Sequence, residues 1–280
     1  MKKYILRYVI CFFVTFGIAG CAREQFPNAK IEPVKKYSLG TAKFTPFKKR
    51  PTAEELYKTT LRLYDSFNTI ATTIDLTWKL VHEWDEVDGK AENIKVYTGR
   101  ITNEIRSIKP DKLLSIGSGD DNSVEVKNGK VNYYYYTFEH CYKMLDTGSN
   151  IHRHAANLAF LLPLKGTSVK LLPDRKINGT DVYVLELKPK KSQRFYRRVY
   201  IGKMDLLPRR TVLIEQPKNN KFVWPKQGPS HKKVRGVPNS IRTYEFIGFV
   251  ANSKLSNDLF PKHPPKGTRR ISKSAIMLYR

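Results

Sequence analysis

The most regular pattern in the chain is an alternation of apolar and polar residues over positions 72–84. Ile74, Leu76, Trp78 and Leu80 recur at every second position, with polar residues between them. Successive side chains of a β-strand point to opposite faces, so this spacing predicts a long antiparallel strand with one buried face and one wet face.

Residues 97–138 contain four further strand-like runs separated by turn signals. Pro110 ends the first run, because proline cannot donate a hydrogen bond to a ladder. Asn128-Gly129 lies between alternating valines and tyrosines, which predicts a two-residue hairpin with a type I′ turn. The four consecutive tyrosines at 133–136 are aromatic on both faces, so the pattern leaves open which of them point inward.

Helical signals are fewer. Thr52 and Glu55 have the spacing of a capping box, and the helix predicted after them carries one apolar stripe, formed by Leu56, Leu63, Phe67 and Ile70. A second helix is predicted over residues 150–162, with Leu158 and Leu162 on its apolar side. Strand patterns return over 181–215 and 240–250. The chain is therefore expected to be mainly β (α+β), with one curved sheet and helices on one side.

The first 20 residues are typical of a secretory signal, with a basic start and a short apolar run. Ile18-Ala19-Gly20-Cys21 resembles the bacterial lipobox, which predicts lipidation of Cys21; a plain signal peptide with a chance cysteine is the alternative. Residues 21–52 are rich in proline and lysine and have no period, so they are predicted to be a basic coil tether.

The formal net charge of +26 indicates either a polyanionic partner, such as anionic lipid headgroups, or only a well-solvated surface. Export disfavours nucleic acid. The scattered histidines and cysteines predict no metal site and no cofactor, and Cys141 is expected to be a small buried residue. Asp146-Thr147-Gly148-Ser149 matches an aspartic-protease string, but those enzymes need a second such carboxylate and the chain has no other copy. No enzyme activity is expected.

Four features of residues 53–272, taken in order, resemble the LolA and LolB family of outer-membrane lipoprotein carriers and receptors. They are the first helix leading into the amphipathic strand, the Lys109-Pro110 corner with the Asn128-Gly129 aromatic hairpin, the strand meander from residue 185 to 209, and Pro264-Pro265 near the end. The resemblance implies an incomplete antiparallel β-barrel with a helical lid over an apolar hollow that holds acyl chains.

The resemblance also implies candidate site residues. Lys109 stands where the family carrier has an arginine that contacts the lid, and a lysine offers a point charge instead of a planar fork. The candidate cavity lining comes from strands and lid, although ordinary core is the more common role for any single one of these residues: Leu76, Trp78, Leu80, Tyr133, Tyr135, Leu158 and Leu162.

These inferences predict a monomeric, lipid-anchored protein of the cell envelope that faces the periplasm, with the outer membrane favoured over the inner membrane. Its domain is expected to span residues 53–273, with a tail at 274–280. It would bind acyl chains of lipids or lipoproteins for transport or sorting. The alternative is a non-transporting envelope sensor or interaction module with the same fold.

Overall fold

A computed structural model describes residues 31–87, 90–119, 122–137, 139–145, 167–189, 195–215, 221–222, 231–232 and 240–271. One α-helix, α1, spans Ala53–Asp65, and a 3-10 turn spans Asn257–Leu259. The strands, in chain order, are β1 Tyr37–Ser38, β2 Thr69–Val87, β3 Lys90–Ile108, β4 Lys112–Gly119, β5 Ser123–Asn128, β6 Val131–Tyr136, β7 Cys141–Met144, β8 Thr167–Ile177, β9 Thr180–Pro189, β10 Phe195–Gly202, β11 Pro208–Glu215, β12 Lys221–Phe222, β13 His231–Lys232, β14 Ser240–Ala251 and β15 Arg269–Arg270.

The fold is built on one large curved and unclosed sheet, and β12 and β13 form a separate two-stranded sheet. Its strands run in the order β15-β7-β6-β5-β4-β3-β2-β14-β11-β10-β9-β8, and β1 pairs with β14. All neighbours are antiparallel except β1 with β14 and β15 with β7. The predicted mainly β architecture of an incomplete barrel with a helical lid is confirmed.

Helix α1 begins at the predicted capping box. The Glu55 amide donates to the Thr52 hydroxyl at 3.2 Å, and the Thr52 amide donates back to the Glu55 carboxylate at 2.8 Å. The predicted apolar stripe of α1 is buried against the sheet through Leu56 and Leu63, and Phe67 follows directly after the helix. We call the sheet face against which α1 packs the inner face, and the opposite one the outer face.

The main core lies between α1 and the inner face. It includes Ile74 from β2, Ile105 from β3, Leu185 from β9 and Phe249 from β14, each 0–2% exposed. A second, smaller core lies on the outer face of β4–β7, where the C-terminal segment covers the sheet with Phe260.

Residues 31–50, which we call the N-terminal arm, are packed against the sheet. The Val34 amide donates to Thr73 Oγ1 at 2.8 Å, and Arg106 on the outer face donates to the Glu32 carbonyl. The Phe249 amide donates to the Lys36 carbonyl at 2.8 Å. The prediction of a coil tether up to residue 52 is therefore wrong for this segment, because its backbone is bound by the sheet.

Tyr37 fixes the arm to the main core. Its ring lies under the Arg209 guanidinium at 3.6 Å, and its hydroxyl donates to the Phe246 carbonyl. Arg209 is held in turn by the Asp205 carboxylate at 2.5 Å. Farther along the arm, Phe47 packs edge-on against Tyr183 with ring centroids 6.2 Å apart. The domain therefore starts before the predicted residue 53.

The hairpin between β5 and β6 is confirmed, but its predicted type I′ turn is wrong. Asn128 pairs with Val131 inside the ladder, so Gly129 and Lys130 are the two turn residues. Of these, only Gly129 has a positive φ, 63°, as in a type II′ turn. A turn with both residues in the left-handed region occurs instead at Asn178-Gly179, between β8 and β9.

Several predictions fall outside the described residues. They concern the signal and lipobox with Cys21, the second helix with Leu158 and Leu162, the Asp146-Thr147-Gly148-Ser149 string and the C-terminal tail. None of the helices within the described ranges is long and apolar enough to cross a membrane.

Candidate functional site

Helix α1 is too short to cover the inner face. Its 13 residues measure about 20 Å at 1.5 Å per residue, whereas the 19 residues of β2 measure about 63 Å. The helix packs where β2 carries Ile70 and Ile74. Beyond that point α1 does not reach along the inner face of β2, and β13, which belongs to the separate two-stranded sheet, lies near β2.

The ladders determine which side chains belong to this part of the sheet. Leu76 of β2 pairs with Ile101 of β3 and Tyr244 of β14, and Trp78 lies one row farther along the same face. We call this region the open inner face. Six of its members are partly exposed and Arg242 is exposed; the six are Leu76, Trp78, Ile101, Leu213, Tyr244 and Arg197.

The outer face of the same strands carries ion pairs, together with apolar residues such as Ile241 and Ile214, which is 8% exposed. Arg198 donates to Glu186 at 3.0 Å, Arg100 contacts Asp75 at 2.5 Å, and Arg210 pairs with Glu245. Each pair joins neighbouring strands across one ladder, as expected for a face that meets water. These strands therefore contain charged residues, and their apolar residues on the open inner face form a separate group.

Leu76 and Trp78 lie on the open inner face, as predicted. Leu80 pairs with Ser240 and Tyr97 in the ladders of β2. The lining role of these residues stays a prediction. Leu158 and Leu162, the predicted lid contribution, lie outside the described ranges.

The prediction that Tyr133 and Tyr135 share the face of Leu76 is wrong. The registers of β2 to β6 are continuous, and they place both tyrosines on the outer face with Leu114 and Val126. Both rings are fully buried there, and the Tyr133 hydroxyl donates to the His263 carbonyl at 3.0 Å.

Burial raises the pKa of Tyr133, so its hydroxyl stays protonated. Tyr134 and Tyr136 are on the inner face instead, with ring centroids 4.8 Å apart.

Lys109 contacts the end of α1. Its Nζ atom donates to the carbonyl of Asp65, the last residue of the helix, at 2.6 Å. Its backbone amide donates to the Asn68 carbonyl at 2.8 Å. A cation at a helix C-terminus is favoured by the helix dipole. The structure thus places Lys109 beside the helix, on the position where the family resemblance implied a lid contact.

Sequence reasoning missed Arg197, Leu213, Arg242 and Tyr244. Arg197 pairs with Leu187 of β9 and Leu213 of β11, both on the inner face. A signal was present, because two consecutive arginines at 197 and 198 in a strand must point to opposite faces, so that one of them reaches the inner side.

Two cavities of about 530 Å³ each lie elsewhere. The first lies between β14, β2 and β3, and most of its lining residues are on the outer face: Thr77, Trp78, Lys79, Thr98, Gly99, Arg100, Ile241 and Thr243. The second is a groove between the N-terminal arm and α1, which we call the basic groove. Its charged lining residues are Lys48, Lys49, Arg50, Glu55, Lys58 and Arg62.

Metal-binding groups and reactive thiols are other possible site features of the described residues. Within the described ranges, His, Cys, Asp and Glu residues do not gather in groups of three that could hold a metal ion. Cys141 is a free thiol at 4% exposure, and burial raises the pKa of this thiol. A raised thiol pKa lowers the fraction of reactive thiolate.

No protein-family model and no curated protein matches the chain. Similar solved structures include a DUF1329 family protein from Desulfovibrio piger, with 14% identity, a TM-score of 0.37, and coverage of 76% of this chain and 98% of that one. A LolA superfamily protein from Nitrosomonas europaea has 10% identity and a TM-score of 0.32, over 76% of this chain and 99% of that one. MucB in the MucA/MucB complex of Pseudomonas aeruginosa has 10% identity and a TM-score of 0.39, over 74% of this chain and 61% of that one.

These likenesses concern the fold alone. The expected architecture is confirmed by the structure itself, which has a large curved, unclosed and mostly antiparallel sheet with a helix against its inner face.

Proposed function

We propose that the protein binds acyl chains of lipids or lipid-modified proteins on the open inner face, and that it serves their transport or sorting in the cell envelope. It acts by binding, without catalysis. The observation that carries the proposal is the contrast between the two faces of β2, β14, β11 and β10. The outer face carries cross-strand ion pairs, while Leu76, Trp78, Leu213 and Tyr244 lie partly exposed on the inner face.

The driving force is the burial of methylene groups. Each buried CH₂ contributes about 0.8 kcal/mol, so ten of them contribute about 8 kcal/mol before the costs of ordering the chain. A curved sheet with a partly exposed apolar face offers such a surface without the core having to open. Acyl chains carry no directional groups, so binding of this kind tolerates different chain lengths.

Lys109 is the proposed link between α1 and the loaded state. Its ammonium binds the last carbonyl of α1, so a small movement of the helix C-terminus breaks this hydrogen bond. Within the described part of the chain, the ammonium of Lys109 donates one hydrogen bond here, whereas a guanidinium can form two parallel bonds. A single hydrogen bond between Lys109 and the Asp65 carbonyl breaks more easily than a paired one, and release of a ligand requires such a contact.

The basic groove supports a position at an anionic membrane surface. Five lysine and arginine residues line it with one glutamate, next to the arm that leads back to the predicted anchor at Cys21. Each basic residue near anionic headgroups contributes about 1 kcal/mol. Together with the predicted lipidation, this favours a membrane-attached protein of the envelope.

Site-specific photo-cross-linking of the full chain in cells tests the proposal. A benzophenone amino acid replaces Trp78 on the open inner face or, as the matched control, Lys79 on the outer face. Lipid or acylated-protein adducts at position 78 and their absence at position 79 are expected. Adducts at position 78 that contain only unmodified protein would favour the interaction-module alternative, and equal lipid labelling at both positions would contradict the proposal.

A further inference from the structure

The C-terminal segment, residues 252–271, is fixed on the outer face of β4–β7. Phe260 is buried in the second core, and the Tyr133 hydroxyl donates to the His263 carbonyl at 3.0 Å. The segment then joins the sheet as β15, and the Ile271 amide donates to a carbonyl of β7 at 2.9 Å. These contacts bind the backbone of the segment to the sheet, so its exposed side chains have a defined place on the surface.

The exposed charges of this segment are mostly positive. Its one carboxylate, Asp258, accepts a hydrogen bond from the Ser256 hydroxyl at 3.1 Å. In the part of the chain that the structure describes, the five basic residues of the segment form no ion pair, whereas Arg198 and Arg210 on the outer face of β10 and β11 are each matched by a carboxylate. We call these five exposed residues the basic C-terminal surface: Lys254, Lys262, Lys266, Arg269 and Arg270.

The N-terminal arm begins beside the same surface. Ile31, the first described residue, packs against the second core, which the C-terminal segment covers. The Arg106 guanidinium donates to the Glu32 carbonyl. The Val34 carbonyl oxygen would lie only 2.3 Å from a Cβ at Gly248, so a side chain there would displace the arm. The arm is therefore held against the sheet from its first described residues onward.

This fixation shortens the link to the predicted anchor. Ile31 is the tenth residue after Cys21, and an extended chain spans about 3.5 Å per residue, so the link reaches at most about 35 Å. A coil tether up to residue 52 would reach about 110 Å by the same rule. If Cys21 carries acyl chains, as the sequence predicts, the basic C-terminal surface therefore stays close to the membrane that holds them.

We propose that the basic C-terminal surface docks on the anionic phospholipid headgroups of the membrane that carries the anchor. Two separate features meet on this side of the sheet: an excess of positive charge and the start of the arm. Headgroup phosphates form an extended layer of anions, which suits several spread cations. Each basic residue near such a layer strengthens binding about fivefold. Docking turns the inner face of β4–β7 away from the headgroups. The proposal is independent of what the open inner face binds.

Photo-cross-linking in vesicles tests the docking. The full chain, as purified from cells, is reconstituted in phosphatidylcholine vesicles with or without phosphatidylglycerol. A benzophenone amino acid replaces Lys262 or, as the matched control, Lys170 of β8 at the opposite edge of the sheet. Both lysines are exposed, and each replacement removes one charge. With phosphatidylglycerol present, phospholipid adducts should be about fivefold or more abundant at position 262 than at position 170.

Removal of three charges tests the electrostatic basis. The test variant changes other members of the basic C-terminal surface: Lys254→Gln, Lys266→Gln and Arg270→Gln. The control variant removes the same charge from exposed positions of β8 and β9: Lys170→Gln, Arg175→Gln and Lys188→Gln. The test variant should lower the adduct yield at position 262 about fivefold or more, as should omission of phosphatidylglycerol, and the control variant should stay within about twofold.

Three results would overturn the docking surface. The first is equal phospholipid labelling at positions 262 and 170. The second is a yield at position 262 that neither the test variant nor the lipid composition changes. The third is adducts at position 262 that contain protein instead of phospholipid. Labelling at position 78, which tests the proposed function, should be the same in the test variant and the parent, so failure of one proposal is distinguishable from failure of the other.

Discussion

Replacing Tyr37 by alanine should release the N-terminal arm from the sheet. The tyrosine makes three contacts that alanine cannot make: ring packing in the main core, the guanidinium of Arg209 at 3.6 Å, and a hydrogen bond to the Phe246 carbonyl. Ring burial contributes about 1.5–3 kcal/mol, the cation–π contact about 1 kcal/mol and the hydrogen bond about 1 kcal/mol. Such terms are not additive.

We therefore expect Tyr37→Ala to lower the free energy of unfolding by about 3–4 kcal/mol, a large part of the 5–15 kcal/mol typical of a domain. Tyr37→Phe keeps the ring and loses the hydroxyl, so it should cost about 1 kcal/mol. Denaturant unfolding of the full chain measures both values. Hydrogen exchange gives a local measure, because the Phe249 amide donates to the Lys36 carbonyl and should exchange faster once the arm detaches.

Met204, which is 72% exposed, supplies the control: Met204→Ala should stay within about 0.5 kcal/mol of the parent. A loss below about 1 kcal/mol for Tyr37→Ala, with unchanged exchange at Phe249, would refute the reasoning. It would mean that the arm is as loosely attached as its sequence predicts.

Three further predictions concern charge and the helix ends. Burial raises the pKa of the Tyr37 hydroxyl from 10 to about 12, so the neutral tyrosine stabilises the fold below pH 10 and this stabilisation is lost as the pH rises to 12. In alkaline unfolding followed by circular dichroism, the stability of Tyr37→Phe should therefore fall less steeply with pH than that of the parent. Thr52→Ala removes the capping box and should cost about 1 kcal/mol in denaturant unfolding, with Thr52→Ser close to the parent. Lys109→Met should speed hydrogen exchange in the last turn of α1, whereas Lys109→Arg should preserve protection, and equal exchange in both variants would remove Lys109 from the helix contact.

The sequence predicts those elements whose own side chains carry a period or a cap. The alternation around Ile74 and Trp78 gives β2, and Thr52 with Glu55 gives the start of α1, because the chemistry is local in both cases.

The arm could not be predicted in this way. It is irregular in sequence and is held by partners far away in the chain, such as Arg209 and Phe249. Strand β8 was also missed, since Pro173 and the charged residues after it hide its alternation.

The candidate site was predicted in part for a related reason. Leu76 and Trp78 belong to a clear alternation, so their shared face follows from the sequence. The tyrosines at 133–136 are aromatic on both faces, and only the registers through β3, β4 and β5 assign Tyr133 and Tyr135 to the outer side. Arg197 was missed because a charged residue is not expected on an apolar face.

Two substitutions in β2 test most directly whether acyl chains bind on the open inner face of the sheet. Leu76→Glu places a carboxylate on that face, while Thr77→Glu places the same group on the outer face one residue away. Binding of dansyl-undecanoate methyl ester to the full chain measures the difference without any contribution from ligand charge. We expect Leu76→Glu to lower the affinity about tenfold or more, since the acyl chain would have to desolvate the carboxylate, and Thr77→Glu to change it within about twofold. Equal affinities in the two variants would mean that acyl chains do not bind on the open inner face.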